Sequence, residues 1–409
     1  MNVIITPTKL KGSITPPPSK SQAHRLIIAA ALAQGESVLS NVARSQDIEA
    51  TLRCMEELGA RFSWEGSTLA VEGMGANSMS RLRRMAPPRL DCGESGSTLR
   101  FLIPVALAVR GGGVFTGHGR LMERPLKPYF DLFDEKGIFY ELKDGVLTVS
   151  GMLAPGEFRL PGDVSSQFFT GLMFALPLLE GDSRIVLTSP LESGGYVELT
   201  RDVMRTAGVL TDGGYIPGNQ RYQPIRQTVE ADWSQAAFFY AAHGLGSEVL
   251  ILGLNPFSTQ GDTKIVPYYL ELCSSEGEVA LDVSQCPDLF PALALLAAVR
   301  EGKPTHIGGG ARLRMKESDR ISAVVQVLTT LGVPVEEYQD GISVVGLKEL
   351  KGGVTIHCHN DHRIAMMAAM AATRCTAPIA LTGAECVAKS YPNFWEDYEA
   401  LGGRIVREE

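Results

Sequence analysis

One pattern of apolar and polar positions recurs along the chain. A polar start leads into an Ala-rich apolar helix, a Gly turn and then a strand. Its first instance, Ser-Lys-Ser-Gln-Ala-His-Arg-Leu-Ile-Ile-Ala-Ala-Ala-Leu, opens the segment 19–41; others fill 94–117 and 165–188 and start again at Asp232, Pro287 and Asn360. A second piece follows each: an amphipathic helix ending at a Gly, then mostly a strand pair. Segments 49–73 and 320–346 are its clearest copies, and 126–151, 196–213, 268–283 and 393–406 take the other slots. The turn glycines Gly59, Gly137, Gly208, Gly277, Gly332 and Gly402 are spaced 78, 71, 69, 55 and 70 residues apart. A period of about 68 residues points to a repeated supersecondary unit.

Each unit reads β-α-β-α-β-β. Apolar recurrence at three to four residues marks the helices, and alternation, as in Val146-Leu147-Thr148-Val149, marks strands. The Ala-rich helices are apolar nearly all round, which suits burial rather than a surface position. Three units per domain is the economical arrangement. The natural hinges are the segment before Lys20 and residues 230–232.

With 44% apolar and 21% charged residues in 409, a folded globular chain is expected and a disordered one excluded. The longest apolar stretches, 289–299 and 168–179, fall short of the ~18 residues of a membrane span. The N-terminus has neither a basic region nor a long apolar one, so no signal peptide is expected. Seven scattered cysteines without a Cys-x-x-Cys pair support neither a disulfide framework nor a zinc site. A reduced, cytoplasmic protein follows. The net charge of −8 sets general nucleic-acid binding at a disadvantage.

Polar residues crowd the starts of the repeated helices. Helix N-termini carry unpaired N–H groups and partial positive charge, so they suit phosphate and carboxylate. Capping explains Ser, Asp and Asn there. It does not explain Lys20, Arg25 and Arg363, because cations are unfavourable at a helix start unless an anion is near. Pro18-Ser19-Lys20-Ser21-Gln22-Ala23-His24-Arg25 places two cations within about a turn and a half. Gly93-Glu94-Ser95-Gly96-Ser97-Thr98 is a small-residue loop opening a helix, in which Gly96 lets a ligand approach the backbone. It lacks the Gly-Lys-Ser/Thr ending of a P-loop. The nine residues from Arg312 to Arg320 hold four cations and two acids. Asn360-Asp361-His362-Arg363 runs into an apolar helix, with no second His or Cys at metal-ligand spacing from His362. A charged surface turn or a structural histidine is the plain alternative for each stretch taken alone.

Together, Pro-Pro-Pro-Ser-Lys-Ser-Gln-Ala-His-Arg, Asp-Cys-Gly-Glu-Ser-Gly-Ser-Thr-Leu-Arg-Phe, Glu-Arg-Pro-Leu, Asp-Val-Ser-Ser-Gln-Phe-Phe, Pro-Asp-Leu-Phe-Pro-Ala-Leu-Ala, Arg-Leu-Arg-Met-Lys-Glu-Ser-Asp-Arg, Asn-Asp-His-Arg-Ile-Ala-Met-Met and Cys-Val-Ala-Lys-Ser-Tyr-Pro-Asn-Phe, in that order, resemble the 5-enolpyruvylshikimate-3-phosphate synthase family of enolpyruvyl transferases. The likeness covers essentially the whole chain. It implies an α/β fold, a two-domain inverse α/β barrel of six β-α-β-α-β-β repeats, three per domain. Residues 1–19 and 230–409 would form a lower domain with both termini, and 20–229 an inserted upper domain, the two closing on the substrates. It implies transfer of the enolpyruvyl group of phosphoenolpyruvate to shikimate 3-phosphate, with release of phosphate. Neither metal nor organic cofactor is implied, and a monomer is.

By the same resemblance, Ser21, Arg25, Ser165, Ser166, Ser193, Tyr196 and Lys316 hold shikimate 3-phosphate. Lys20, Gly96, Arg124, Gln167, Arg320, Arg363 and Lys389 hold phosphoenolpyruvate, and His362 joins the substrate-binding set. Asp288 fits the base for the attacking 5-hydroxyl, and Glu317 the acid for the methylene carbon. Lys20 and Lys389 fit proton traffic to the leaving phosphate. The charge requirement agrees: two unit charges 4 Å apart repel by about 4 kcal/mol at an effective dielectric of 20, so a site for two phosphate- and carboxylate-bearing substrates must be cationic. Two same-fold readings stay open: an enolpyruvyl transferase for UDP-N-acetylglucosamine, and an RNA 3′-phosphate cyclase. The first typically has an Asn where Ser21 stands and a loop cysteine, whereas no Cys lies between 93 and 272 here. The acidic net charge disfavours the second. A non-catalytic phosphometabolite binder, a third reading, is disfavoured by Asp288 with Glu317 and Lys20.

Glu94, Ser97, Arg312 and Gly194-Gly195 depart from the commonest family pattern. A carboxylate beside an anion site repels phosphoenolpyruvate unless a cation neutralises it, and Arg124 is the cation expected for Glu94. If Glu94 orients Arg124, Glu94→Ala raises the Michaelis constant for phosphoenolpyruvate and leaves shikimate 3-phosphate binding unchanged. Titrating each substrate against the variant checks this; unchanged or tighter phosphoenolpyruvate binding counts against it.

Overall fold

The computed structural model describes residues 1–75 and 85–408. The chain divides into two compact units: Met1–Pro17 with Ala231–Glu409, and Pro18–Glu230. The joins fall beside Ser19, whose hydroxyl caps the helix Lys20–Leu32 by accepting the N–H of Gln22. A cap must stay with its helix, so Ser19 belongs to the second unit.

Six small sheets are present among the described residues, three in each unit. In each, the strand before a core helix pairs parallel with the strand after it, as in Arg89↔Val114 and Val279↔Thr305. In four of the six, two antiparallel strands are then added, as in Gly112↔Ser150 and Pro304↔Val345. The sheets are separate, so the inverse barrel is three sheets around buried helices, without a closed ring of strands.

Only the second and fifth repeats supply a four-stranded sheet from contiguous chain. The first borrows Arg226–Thr228 as its leading strand, paired parallel with Gln34–Ser40. The sixth takes the N-terminal strand Asn2–Thr6 between Ile379–Thr382 and Arg404–Glu408. The third is reduced to three strands, the last of them only Tyr215–Ile216.

The fourth departs most. Lys11–Ile14 leads it, pairing with Glu248–Ile251 in a two-stranded sheet. Its second helix, Ile265–Ser274, ends at an extended Ser275, and Val279–Asp282 already leads the next repeat. The 55-residue spacing on the sequence is this missing hairpin. Gly277 is therefore not a helix-closing turn; the other five turn glycines have positive φ.

Each unit has its own core, built on the Ala-rich helices. In Pro18–Glu230 these are Lys20–Leu32, Gly96–Arg110 and Ser166–Ala175, buried almost throughout. In the other unit they are Trp233–Gly244, Phe290–Ala297 and His362–Ala372. A helix apolar on every side can only be stabilised by neighbours on every side, so it occupies the centre and its polar N-terminal residues come with it. No helix among the described residues is long and apolar enough to cross a membrane.

Gly96–Arg110 and Ser166–Ala175 approach so closely that Gly171 has no room for a side chain. A Cβ there would sit 2.4 Å from Tyr129 Oη and 2.5 Å from the Arg100 carbonyl oxygen. Tyr129 Oη lies 2.8 Å from that carbonyl and 3.0 Å from that of Phe168, so it ties the two helices. Gly171→Ala should destabilise the fold by about 1–3 kcal/mol, the cost of overpacking a filled core. A lowered urea midpoint is the expected measurement.

Candidate active site

In the unit carrying both termini, the helix starts converge on one guanidinium. Arg320 is the first residue of Arg320–Thr330, whose cap is Asp319. A cation is unfavourable there, and three carboxylates offset it. Arg320 donates from Nε to Asp361 at 2.9 Å, from Nη1 to Asp288 at 3.0 Å and from Nη2 to Glu317 at 2.5 Å. Its side chain is 1% exposed. Burial lowers its pKa, and Asp361, Glu317 and Asp288 outweigh burial and raise it.

Asp288 lies in the single turn Pro287–Leu289 ahead of Phe290–Ala297. It also accepts from Arg363 Nη2 at 3.0 Å and has Lys316 Nζ at 3.7 Å. Burial by itself raises the Asp288 carboxyl. Arg363, Lys316 and Arg320 outweigh it and hold the group well below the usual carboxylate range. Burial pulls the Lys316 ammonium down, against Asp288.

Asp361 caps His362–Ala372 by accepting the N–H of Arg363 at 2.9 Å, and takes a bond from the Ser318 hydroxyl at 3.0 Å. The two residues before it, His359 and Asn360, have φ of 52° and 53°. Left-handed non-Gly residues in succession are costly and persist only when their surroundings hold them. Here the Asn360 carbonyl accepts from Lys389 Nζ at 2.7 Å. Ser390, next to Lys389, accepts from Gln235 Nε2 at 2.8 Å, and Ser234 accepts from Arg363 at 2.9 Å. His362 is buried, its ring nitrogen 4.0 Å from Asp361.

In Pro18–Glu230 the same design recurs. Lys20 opens its helix, and its Nζ donates to Asp47 at 2.8 Å. Arg25, one turn on, is buried. It donates to Thr200 Oγ1, the Ser21 carbonyl, Thr170 Oγ1 and the Tyr196 carbonyl, and lies over the rings of Phe101 and Tyr196. Burial pulls its pKa down to about 10. Most of its N–H groups serve the fold, which leaves little for a ligand.

Gly96 opens the helix Gly96–Arg110 behind the cap Ser95. A Cβ at Gly96 would stand 2.8 Å from Arg124 Nη1 and 3.5 Å from both Arg100 Nη1 and Gln167 Oε1. Gln167 is fixed at both ends: Oε1 accepts from Arg100 at 2.8 Å, and Nε2 donates to Ser97 at 3.0 Å. Ser165 caps the helix that carries Ser166 and Gln167. Ser193 precedes Gly194–Thr206, which carries Tyr196, in a left-handed conformation and without a side-chain cap bond to the helix.

The structure thus gathers Asp288, Glu317, Lys316, Arg320 and Arg363 in one unit, and Gly96, Arg124 and Gln167 in the other. Asp361, Asp47 and Arg100 were missed from sequence. Each aspartate sits at or beside a cap and reads as an ordinary helix start; Arg100 lies a turn inside an apolar helix.

These arrangements match known proteins over the whole chain. The EPSP synthase (3-phosphoshikimate 1-carboxyvinyltransferase) family profile matches residues 4–398. A 3-phosphoshikimate 1-carboxyvinyltransferase of Clostridium perfringens (strain 13 / Type A) is 44% identical over 429 residues, covering 100% of this chain and 99% of the relative. One of Clostridioides difficile (strain 630) is 42% identical, covering 98% and 97%. The solved EPSP synthase from Acinetobacter baumannii is similar to this chain with a TM-score of 0.79, at 25% identity and full coverage of both chains. With a family profile over nearly the whole chain, relatives of matched length and a matched fold, the chain belongs to the EPSP synthase (3-phosphoshikimate 1-carboxyvinyltransferase) family.

Proposed function

We propose that the chain transfers the enolpyruvyl group of phosphoenolpyruvate to the 5-hydroxyl of shikimate 3-phosphate. The observation that carries this reading is the Asp288 carboxylate held between Arg320 and Arg363 at 3.0 Å each, beside Glu317. The proposed base and acid share one guanidinium, that of Arg320, and the base also meets Arg363; guanidinium is the group that grips phosphate and carboxylate bidentately.

The reaction follows from these parts. Asp288 takes the hydroxyl proton as oxygen adds to C2 of phosphoenolpyruvate, while Glu317 protonates C3 to a methyl group. In the second step C3 returns a proton, the C2–O bond to phosphate breaks, and the enol ether forms. Bound to two guanidinium groups, Asp288 is ionised but a weak base. An anion that takes over those hydrogen bonds lifts this restraint, so substrate binding readies the base. Lys20, Gly96, Arg124, Gln167 and Lys389 serve phosphoenolpyruvate, with Lys20 and Lys389 assisting the leaving phosphate. Ser21, Ser165, Ser166, Ser193, Tyr196 and Lys316 serve shikimate 3-phosphate. Arg25 acts mainly by fixing Ser21 and Tyr196, and His362 by filling the helix start beside Asp361.

Seven free thiols support a reducing, cytoplasmic setting, and a net charge of −8 supports small anions over nucleic acid as partners.

Asp288→Asn keeps the shape and removes the base. Turnover should fall at least ~100-fold, the low end for losing general-base catalysis, with both substrates still bound. Phosphate release in the steady state, with direct titration of each substrate, checks this; turnover near the wild-type value refutes the base. Gly96→Ala drives a methyl group against Arg124. It should raise the Michaelis constant for phosphoenolpyruvate by roughly tenfold, about 1.4 kcal/mol, and leave shikimate 3-phosphate affinity at its wild-type value.

A further inference from the structure

His24 is fully buried in the helix Lys20–Leu32, and its Nε2 has no hydrogen-bond partner. Its Nδ1 lies 2.7 Å from Thr51 Oγ1. Thr51 Oγ1 lies 2.7 Å from Thr98 Oγ1, and Thr98 donates to Ser95 Oγ at 2.7 Å. Two of these links join separate elements, the helix Lys20–Leu32 to the helix Gln46–Leu58 and that helix to Gly96–Arg110; the third ties Gly96–Arg110 to its own cap.

Counting hydrogens fixes every direction in the chain. A hydroxyl has one hydrogen. Thr98 gives its own to Ser95, so Thr51 must give its own to Thr98. Thr51 then accepts from His24, which places the ring hydrogen on Nδ1 and leaves Nε2 bare. Burial, then Lys20 and Arg25, pushes the imidazole well below its ordinary range, in keeping with a ring that carries one hydrogen only. The imidazole stands at right angles to the ring of Phe101, with the two ring centres 6.4 Å apart.

This relay runs beside the Lys20–Asp47 ion pair, because His24 follows Lys20 by four residues and Thr51 follows Asp47 by four. Residues four apart share a helix face, so the two helices are cross-linked twice along one seam. At its far end the relay grips Ser95, which also accepts the N–H of Thr98 at 3.2 Å. Gly96 and Ser97 follow, against Arg124 and Gln167.

We propose that His24, held as the Nδ1–H tautomer, is a positioning residue that registers Lys20 against the Ser95-Gly96-Ser97 turn through the hydroxyls of Thr51 and Thr98. It touches no substrate. The inference rests on the transferase reading for its kinetic consequence, though not for the tautomer.

The test uses the full chain with Thr51→Val, which keeps the shape and breaks the relay, and Thr51→Ser, which keeps the hydroxyl. Thr51→Val leaves a buried donor on His24 and a buried acceptor on Thr98 unpaired. The Michaelis constant for phosphoenolpyruvate should rise roughly tenfold, with shikimate 3-phosphate affinity unchanged and Thr51→Ser restoring wild-type values. Lower thermal stability with both constants unchanged, or an equal loss for both substrates, overturns the positioning role. Independently, ¹⁵N spectra of the wild-type histidines should show His24 protonated at Nδ1 and bare at Nε2; the opposite tautomer or a charged ring overturns the proposal even if Thr51→Val does not fold. If wild-type protein releases no phosphate from phosphoenolpyruvate and shikimate 3-phosphate, the transferase reading fails while the spectra still decide the relay.

Discussion

A buried guanidinium among three carboxylates is the constraint on which this structure turns. Taking an ion out of water costs several kcal/mol unless it is paired and hydrogen-bonded. Arg320 is almost wholly buried, and Asp361, Asp288 and Glu317 meet it from the helix start at 361, the turn at 288 and its own preceding turn. Each partner needs its own element in place. The core helices must therefore bring their polar ends together for the unit to fold at all, and the assembled charges are those proposed as acid, base and cations of the chemistry. Removing one partner leaves a charge unpaired, which is more costly than never having buried the set.

The second unit solves a similar problem differently. Arg25 is satisfied by hydroxyls, carbonyls and aromatic faces rather than by carboxylates, and its guanidinium holds on to its proton less tightly as a result. Lys20 pairs with the carboxylate of Asp47. Arg25 is thus held by neutral dipoles, and Lys20 meets an acid. In the other unit carboxylates take up more of the charge around Arg320, and two of them are the proposed base and acid.

Repetition explains why these residues lie where they do. A unit whose helix is apolar on all sides cannot expose any face, so only its ends remain for polar chemistry. Three copies packed about a common centre bring three such ends into one neighbourhood. The shortened fourth repeat shows which parts are dispensable: it lacks its hairpin, yet keeps the core helix Trp233–Gly244 and the Asp232 cap, with Ser234 bonded to Arg363. The hairpins cover the outside, whereas the helix starts hold the site.

Periodicity along the chain determined the class of fold, the number of repeats and the helix starts as the place of chemistry. Those features depend on local spacing: alternation for strands, three to four residues for helices, and cations where a helix dipole disfavours them. The fourth repeat's lost hairpin was legible only as a short spacing, because its flanking residues keep an ordinary apolar pattern. Likewise, the strands Asn2–Thr6, Lys11–Ile14 and Arg226–Thr228 lie outside the repeat segments visible on the chain and carry no sign of which sheet they complete, since pairing partners distant in sequence leave no local mark. The same holds in the site. Asp361, Asp47 and Arg100 are ordinary caps or helix residues until the tertiary structure sets them against Arg320, Lys20 and Gln167. Sequence determined which residue types gather at the helix ends; the packing of those ends decided which charge meets which, because a buried ion pair is selected by distances of about 3 Å between groups far apart on the chain.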